Sequence, residues 1–252
     1  MAEFFKKVKE VMYAALDKRP FVSAVVVAGG SGSRMGTDTT KQMLVLAGKP
    51  LVVHTLLAFE KCDCIDEIIV VAREEECAEY DIFKKEYGIT KLVKTVVGGT
   101  VRQQSSKNGF DAINEKSDYV AIHDAARALI TPAQIKDVVM CAFAHGAAIA
   151  ATPSTDTIKY ANGPIISETI PREKIWLTQT PQVFRDEIYR AAVYTAEKDG
   201  FVATDDASLA ENIGINVYLV DTGADNFKVT YRTDIFRAER LLIEREEHGE
   251  CE

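Results

Sequence analysis

The sequence predicts an α/β fold in which a mostly parallel sheet is covered by helices on both faces. From Ser23 onward, short β-branched runs alternate with longer helical patterns, which is typical of successive strand–helix–strand units. Each short run is almost continuously apolar, as expected for strands that are buried on both faces. The chain has 252 residues, of which 47% are hydrophobic and 27% are charged, so it can bury one large core. We therefore predict a single Rossmann-like domain over residues 21–252.

Five strands and four helices are predicted in the first part of this domain. The predicted strands are Ala24–Ala28, Ile68–Ala72, Leu92–Val97, Tyr119–Ile122 and Ala147–Ala151. The helices predicted between them are Pro50–Lys61, Arg73–Tyr87, Arg102–Glu115 and Pro132–His145. Pro50 and Pro132 suit the first helical turn, because the backbone N–H that proline lacks has no partner there.

The rhythm changes after Thr152, where prolines and glycines interrupt short extended pieces. We predict that residues 153–180 form an arm that leaves the main sheet. A helix near Arg185–Lys198, strands at Asn216–Val220 and Phe227–Val229, and a charged C-terminal helix are predicted to follow.

Composition and the first twenty residues exclude several classes of protein. Residues 1–20 are amphipathic with mixed charge and predict a peripheral N-terminal helical extension, without the apolar core of a secretory signal. No apolar run is long enough for a membrane span, so a cytoplasmic protein without a membrane partner is predicted. The net charge of −8 and the lack of a long basic run argue against a nucleic-acid polymer as partner. The odd number and irregular spacing of the five cysteines predict reduced thiols.

A long glycine-rich loop follows the first predicted strand, beginning Ala28-Gly29-Gly30-Ser31-Gly32-Ser33-Arg34-Met35-Gly36. Ligands of open α/β sheets bind beyond the carboxyl ends of the strands, where glycine lets backbone N–H groups approach a phosphate. Arg34 and Lys41 would together offset the charge of a triphosphate. The dinucleotide fingerprint does not fit, because Met35 stands at its third glycine, and the P-loop does not fit, because Pro50 stands at its Ser/Thr. A plain glycine-rich turn is the alternative interpretation.

Two more motifs lie at predicted strand ends. Gly98-Gly99-Thr100-Val101-Arg102-Gln103-Gln104-Ser105 opens a helix and could approach a base edge or an anion, or could be an ordinary capped turn. His123-Asp124-Ala125-Ala126-Arg127 places a carboxylate beside an arginine, which suits a magnesium ion that also binds phosphate oxygens. We interpret His123 as a buried, hydrogen-bonded side chain.

These motifs together resemble the sugar-phosphate nucleotidyltransferases, and most closely the 2-C-methyl-D-erythritol 4-phosphate cytidylyltransferases, over about residues 22–242. The segment Asp225-Asn226-Phe227-Lys228-Val229-Thr230 adds to the resemblance. It implies a nucleotide-diphospho-sugar transferase type of fold and the transfer of CMP from CTP to methylerythritol phosphate, with release of pyrophosphate. It also implies Mg²⁺ or another divalent cation as cofactor, and a homodimer formed through the arm.

The resemblance assigns roles to residues that match the family's motifs. Catalytic roles fall to Arg34, Lys41, Lys228 and Arg172. Nucleotide contacts fall to Ala28, Gly29, Gly30, Ser31, Gly32, Ser33, Gly99, Thr100, Ser105 and Ala125. Contacts with the acceptor substrate fall to Arg127, Thr157, Arg172, Thr180 and Thr204. Metal coordination falls to Asp124 and Asp225.

Two departures from the family pattern are visible, since Ala128 and Thr40 stand where proline is usual. Ala128 is expected to loosen the turn that holds Arg127, and Thr40 to give the loop before Lys41 more freedom, because only proline fixes φ. A ribitol 5-phosphate cytidylyltransferase and a catalytically silent nucleotide-binding module are the alternative functions. The silent module leaves the cation set unexplained.

Overall fold

The computed structural model describes residues 19–29 and 40–247, so the predicted helix over residues 1–20 lies outside it except for its last two residues. No helix within these ranges is both long and apolar enough to cross a membrane. Arg19 anchors the start of the described chain, because its Nη2 lies 2.5 Å from Asp66 Oδ1 and its Nη1 donates to the Cys64 carbonyl.

Up to β7, the strands of the central sheet alternate with helices, as the sequence predicts. The strands are β1 (Val22–Val27), β2 (Val45–Leu46), β3 (Lys49–Pro50), β4 (Glu67–Ala72), β5 (Leu92–Val97), β6 (Tyr119–Asp124), β7 (Ala147–Pro153), β8 (Ile158–Asn162), β9 (Ile165–Ile170), β10 (Trp176–Arg185) and β11 (Tyr218–Asp221). The α-helices are α1 (Leu51–Lys61), α2 (Cys77–Glu86), α3 (Arg102–Phe110), α4 (Pro132–His145), α5 (Asp186–Asp199), α6 (Asp206–Asn212) and α7 (Arg232–Glu247).

Seven strands form the central sheet, in the order β11-β7-β10-β6-β1-β4-β5. All neighbouring pairs are parallel except those of β10, which runs antiparallel to both β6 and β7. The predicted mostly parallel α/β sheet is therefore confirmed. Two small hairpins, β2–β3 and β8–β9, lie outside this sheet.

Helices cover both faces of the sheet because successive side chains of a strand point to opposite faces. Val26 and Val70 belong to a core cluster that contains residues of α1 and α4. Their neighbours Val25 and Ile69 belong to a second cluster, which contains Phe110 of α3 and residues of α5. These two clusters form the core on either side of the sheet.

The two prolines that the sequence places in first helical turns differ in position. Pro132 is the first residue of α4, where Thr131 and Gln134 form a reciprocal capping box. Pro50 instead lies just before α1, as its N-cap residue. The helix begins one residue later than predicted.

Several predicted boundaries were wrong. The helix predicted from residue 73 has its first turn in 3₁₀ geometry and becomes α-helical at residue 77, and the helix predicted to residue 115 ends at residue 110. Residues 227–229 are not a strand, and helix α6 was not predicted. Strand β5 is the edge strand of the sheet, and one of its faces is not covered, since Val93 and Val97 are 54% and 48% exposed.

The predicted arm is shorter than residues 153–180. Pro153 pairs with Trp176, and the Ser154 N–H donates to the Ile175 carbonyl at 3.0 Å, so residues 154–175 leave and re-enter the sheet at one place. The excursion contains the β8–β9 hairpin, which turns at Gly163 with a φ of +59°. Residues 176–180 belong to β10 and hence to the central sheet.

Candidate active site

The carboxyl ends of β1, β5 and β6 bring three loops to one edge of the sheet. The Ala28 N–H donates to the Val71 carbonyl at 2.7 Å, and the Ala125 N–H donates to the Val27 carbonyl at 3.0 Å. The Gly98 N–H donates to the Ala72 carbonyl at 2.8 Å. The glycine-rich loop, the Gly98-Gly99 turn and the segment after Asp124 therefore start side by side, where ligands of open α/β sheets bind.

The Gly98-Gly99 turn is held by Ser105, whose side chain is buried. The Gly99 N–H donates to Ser105 Oγ at 3.0 Å, and this hydroxyl donates onward to the Val101 carbonyl at 3.1 Å. A Cβ at Gly99 would collide with the Gln104 side chain, so the turn needs glycine. The Thr100 N–H also donates to Gln104 Oε1, at 3.0 Å. Ser105 thus orders the turn, and its contact with a base stays a prediction.

Asp124 lies at the centre of the site, with a side chain that is only 11% exposed. Arg102 Nε donates to its Oδ1 at 2.9 Å, and Lys228 Nζ donates to its Oδ2 at 2.6 Å. Burial by itself would raise the pKa of Asp124, but the two cations outweigh it and hold the pKa well below its usual value. Asp124 is therefore ionised at neutral pH.

Arg102 and Asp206 are site residues that the sequence analysis did not assign. Arg102 Nη1 donates to Asp206 Oδ2 at 2.7 Å, and the Tyr189 hydroxyl donates to Asp206 Oδ1 at 2.6 Å. Burial would lower the pKa of Arg102, but Asp206 and Asp124 raise it further above its usual value. Arg102 could have been found from its place directly after the Gly98-Gly99 turn. Asp206 offered no such signal.

His123 is fully buried, as predicted, and takes a structural role. Its Nδ1 shares a hydrogen bond with Thr180 Oγ1 at 3.1 Å, and its Nε2 lies 3.4 Å from the Arg127 carbonyl. A neutral ring protonated on Nε2 satisfies both contacts. Burial lowers the pKa of His123 to about 3, so this neutral form dominates at neutral pH.

Arg127 holds the segment that carries Lys228. Its Nη1 donates to the Asn226 carbonyl at 2.8 Å, and its Nη2 donates to the Thr178 carbonyl at 3.1 Å. The Val229 N–H donates back to the Ala126 carbonyl at 2.9 Å. Two of the guanidinium's donors are thus used within the protein, and the predicted substrate contact of Arg127 stays a prediction. The neighbouring Ala128 is buried in a small core cluster with residues of the β2–β3 hairpin and α7.

The glycine-rich loop is described only at its two ends. Gly30, Ser31, Gly32, Ser33 and Arg34 lie outside the described residues, whereas Ala28 and Gly29 are inside. Lys41 is nearly buried at the start of a 3₁₀ helix over Lys41–Met43. Thr40 precedes it with a φ of −65°, the value that proline imposes, and its buried hydroxyl has no hydrogen-bond partner among the described residues.

The residues predicted to hold the acceptor do not lie together. Thr157 and Arg172 are exposed at the base of the β8–β9 hairpin, and Arg172 Nη1 donates to the Thr155 carbonyl at 3.1 Å. No hydrogen bond or ion pair among residues 40–247 joins Thr157 or Arg172 to Asp124. Thr180 is not on the arm but buried in β10, where its hydroxyl accepts the Asp124 N–H at 3.0 Å. Thr204 is exposed just before α6.

Asp124 fits a magnesium ion better than Asp225 does. Each Asp124 oxygen accepts one hydrogen bond and keeps acceptor capacity, and magnesium commonly takes one or two carboxylates together with phosphate oxygens. Asp225 is about half exposed and lies 3.7 Å from Arg237 Nη2. Its ion pair is with Arg237 and not with the cations that hold Asp124, so its role as second metal ligand stays a prediction.

The site is locally positive although the chain is acidic. Arg102, Arg127 and Lys228 contribute three positive charges, against the two carboxylates of Asp124 and Asp206. A focused excess of positive charge at a strand end attracts small polyanions whatever the net charge of the protein. The arrangement is suited to binding phosphates.

Comparison with known proteins identifies the family. The family model for 2-C-methyl-D-erythritol 4-phosphate cytidylyltransferase matches residues 22–244. The protein of that name from Geotalea uraniireducens is 44% identical over 226 residues, which are 88% of this chain and 96% of that protein. The one from Syntrophus aciditrophicus is 41% identical over 231 residues, covering 90% of this chain and 98% of the relative.

Solved structures agree with the sequence relatives. The 4-diphosphocytidyl-2C-methyl-D-erythritol synthase from Anaerococcus prevotii has a TM-score of 0.79 at 27% identity, covering 89% of this chain and 99% of its own. The 2-C-methyl-D-erythritol 4-phosphate cytidylyltransferase from Thermus thermophilus has a TM-score of 0.71 at 28% identity, covering 86% and 97%. The family model, the sequence relatives and the fold therefore agree, and the chain belongs to the 2-C-methyl-D-erythritol 4-phosphate cytidylyltransferase family.

Proposed function

We propose that this protein transfers CMP from CTP to 2-C-methyl-D-erythritol 4-phosphate, giving 4-diphosphocytidyl-2-C-methyl-D-erythritol and pyrophosphate. The observation that carries the proposal is the ionised Asp124 held between Arg102 and Lys228, where the loops after β1, β5 and β6 converge. Family membership supports methylerythritol phosphate, rather than ribitol 5-phosphate, as the acceptor.

The reaction is an in-line displacement at the α-phosphorus of CTP. An oxygen of the acceptor's phosphate forms the new bond to the α-phosphorus, while the bond to the bridging oxygen breaks and its electron pair leaves on pyrophosphate. The acceptor is already an anion, so no protein base has to remove a proton. The protein's contribution is positioning and charge stabilisation, as in phosphoryl transfer generally.

The cations of the site have distinct tasks in this proposal. Lys41 and Arg34 would act on the triphosphate from the glycine-rich loop, and Lys228 would act from the segment after β11. Asp124 is the carboxylate that would hold magnesium, which supplies charge neutralisation to the triphosphate when bound. Asp225 is proposed as a second carboxylate for the same ion.

The cytosine base is proposed to lie between the two glycine turns. Backbone groups of Ala28–Gly30 and Gly99 would approach its edge, and Ser105 keeps the second turn in place. Such a pocket would be too small for a purine. CTP is therefore expected to support turnover far better than ATP.

A second copy of the chain is proposed as the partner that covers the hairpin. Tyr160, Ile165 and Ile166 of the β8–β9 hairpin are 65%, 70% and 60% exposed, and a twofold mate would bury such a surface. Arg172 and Thr157 lie at the hairpin base, so the partner's copies would complete the acceptor site. Acceptor binding would then depend on dimer formation.

The activity is tested by measuring pyrophosphate release with CTP and each candidate acceptor. We expect release with methylerythritol phosphate and little with ribitol 5-phosphate, and we expect loss of release when ATP replaces CTP. Asp124→Asn, which keeps the shape and removes the charge, is expected to abolish the reaction. Equal rates with ATP, or a fully active Asp124→Asn variant, would contradict the proposal.

A further inference from the structure

Asp206 carries a carboxylate that is almost completely buried next to the reacting centre. It is the first residue of α6 and only 1% exposed. Both of its oxygens are hydrogen-bonded, one to Arg102 and one to the Tyr189 hydroxyl. A buried carboxylate must be paired in this way to be tolerated, so pairing alone does not indicate a functional role.

The contact with Arg102 goes further, because Arg102 is shared between two carboxylates. Its Nε donates to Asp124 at 2.9 Å while its Nη1 donates to Asp206 at 2.7 Å. A guanidinium is a rigid planar fork, so anchoring two of its nitrogens on two separate elements fixes its plane. A fixed guanidinium plane also fixes the direction from which Arg102 Nε donates to Asp124 Oδ1.

Asp206 is itself held firmly. The Asp205 side chain accepts the Ser208 N–H at 3.0 Å, and Gln182 Oε1 accepts the Ala207 N–H at 2.9 Å. Gln182 lies in β10 beside β6, the strand that ends in Asp124. The start of α6 is thereby tied to the central sheet on the side where the site lies.

We propose that Asp206 is a positioning residue for the transfer reaction, which acts through Arg102 to orient the Asp124 carboxylate. The inference rests on the proposed function and adds to it a buried residue whose two carboxylate oxygens are bonded to Arg102 and Tyr189. Without the charge on Asp206, Arg102 can turn onto both oxygens of Asp124, because bidentate pairing is its favoured geometry. Arg102 would then compete with Lys228 for Asp124 Oδ2. It would also take the lone pairs of Asp124 that a metal ion would otherwise use.

The experiment compares Asp206→Asn with a matched buried carboxylate elsewhere. Asp206→Asn is expected to lower kcat on the order of 10- to 100-fold, with a smaller change in the KM for CTP. Glu67→Gln is the control: Glu67 is 5% exposed at the start of β4, where Ser23 Oγ and the Asn114 N–H donate to it at 2.6 and 2.7 Å. This control should lose stability while keeping the wild-type kcat.

A second variant tests the route through Arg102 and guards against a misfolded Asp206→Asn protein. Lysine at position 102 can reach only one of the two carboxylates, so Arg102→Lys is expected to lower kcat similarly. The double variant should be no slower than Arg102→Lys alone, because both changes break one contact. Wild-type kcat in Asp206→Asn or in Arg102→Lys, or losses that simply multiply in the double variant, would overturn the inference.

A binding measurement separates this inference from the proposed function. If the wild-type protein does not turn over, the proposed function fails. The same variants are then compared by calorimetric titration with CTP and magnesium, without acceptor. Weaker binding in both single variants, with no further loss in the double variant, supports the positioning role, and unchanged binding overturns it.

Discussion

His123 and Asp124 are neighbours in β6, yet their surroundings keep the first side chain neutral and the second ionised. His123 faces the core, where burial keeps its imidazole neutral, and Asp124 faces two cations that keep its carboxylate ionised. Successive residues of a strand point to opposite faces, so one strand end supplies both a packed ring and a charged ligand. His123 therefore packs in the core, while the next residue, Asp124, lies in the candidate active site.

The neutral His123 makes the stability of the protein depend on pH. Its pKa falls from 6.5 in the unfolded chain to about 3 in the folded protein, so the unfolded state binds the extra proton first. Stability should be fully present above pH 6.5 and fall as the pH drops toward 3, by up to about 1.4 kcal/mol per pH unit. His54, whose pKa burial also lowers, adds a contribution of the same sign.

Urea unfolding of the wild type and of His123→Asn between pH 7 and about pH 4.5 checks this expectation. The variant should be less stable at pH 7 but should lose less stability on acidification, because the contribution of His123 is gone. Equal slopes for the two proteins would show that His123 does not titrate on unfolding.

Thr40 has a φ of −65°, the backbone conformation that proline would impose. Thr40→Pro should therefore stabilise the protein by about 0.4–1 kcal/mol, by removing freedom from the unfolded chain. It also removes a buried hydroxyl that has no partner among the described residues. Thermal melting should show an increase of about 1–4 °C.

Ala47→Pro is the matched control for this substitution. Ala47 has a φ of +44°, and its N–H donates to Glu239 Oε1 at 3.3 Å, so proline there is both strained and lacking a donor. We expect Ala47→Pro to lower the melting temperature. A lower melting temperature in Thr40→Pro would mean that the loop needs threonine for another reason.

At the scale of elements, the sequence pattern predicted the strands that are mainly apolar and the helices that carry their own start signal. Strands β1, β4, β6 and β7 consist mainly of apolar residues in a sheet covered on both faces, and α4 carries its own capping signal. Strand β10 was not predicted, because it contains two buried glutamines although it lies in the middle of the sheet. The side chain of Gln179 is hydrogen-bonded to Thr222, and that of Gln182 to Asp205. These distant partners allow the glutamines to be buried in a strand, whereas their polarity alone predicts a loop.

The site was predictable to a similar degree. Asp124 and Lys228 were predicted from separate motifs, and the structure joins them by a 2.6 Å ion pair. Asp206 could not be found, because its partner Arg102 is 104 residues away and α6 is only seven residues long. Long-range pairing of this kind leaves no trace in local spacing.

The β8–β9 hairpin exposes apolar side chains that we propose a second copy covers. Ile165→Asp should place a charge in that interface and convert a dimer into monomers with little change in the fold. Sedimentation velocity measures the outcome. Ile82→Asp is the control, since Ile82 is 53% exposed on α2, away from the hairpin, and this variant should stay dimeric.

Two results would contradict the proposed interface. The first is a wild-type protein that sediments as a monomer while fully active. The second is an Ile165→Asp variant that remains a dimer.

At the scale of the whole molecule, the proposed reaction divides its substrates between two parts of the chain. Lys41 would act on the triphosphate as charge develops, so Lys41→Ala should lower kcat on the order of 10²–10³. Arg172 would grip the acceptor's phosphate from the hairpin, so Arg172→Ala should mainly raise the KM for the acceptor. Steady-state kinetics with each substrate varied separately distinguishes the two.

Mixing these two variants tests whether the parts come from different subunits. If Arg172 acts on the partner's site, a mixed dimer has one site with both substitutions and one intact site. Subunit exchange should then restore about a quarter of the wild-type sites. A mixture no more active than its components would show that each subunit uses its own Arg172.

The position of β10 has a consequence for folding during synthesis on the ribosome. Strands β6 and β7 are made one after the other but do not touch, because β10 lies between them. Until residues 176–185 have been synthesised, the apolar edge of β6 stays open and β7 has no link to the rest of the sheet. At usual elongation rates this lasts on the order of seconds, long enough for an unpaired edge to capture another chain. The nascent protein is therefore most vulnerable to aggregation while its arm is being translated.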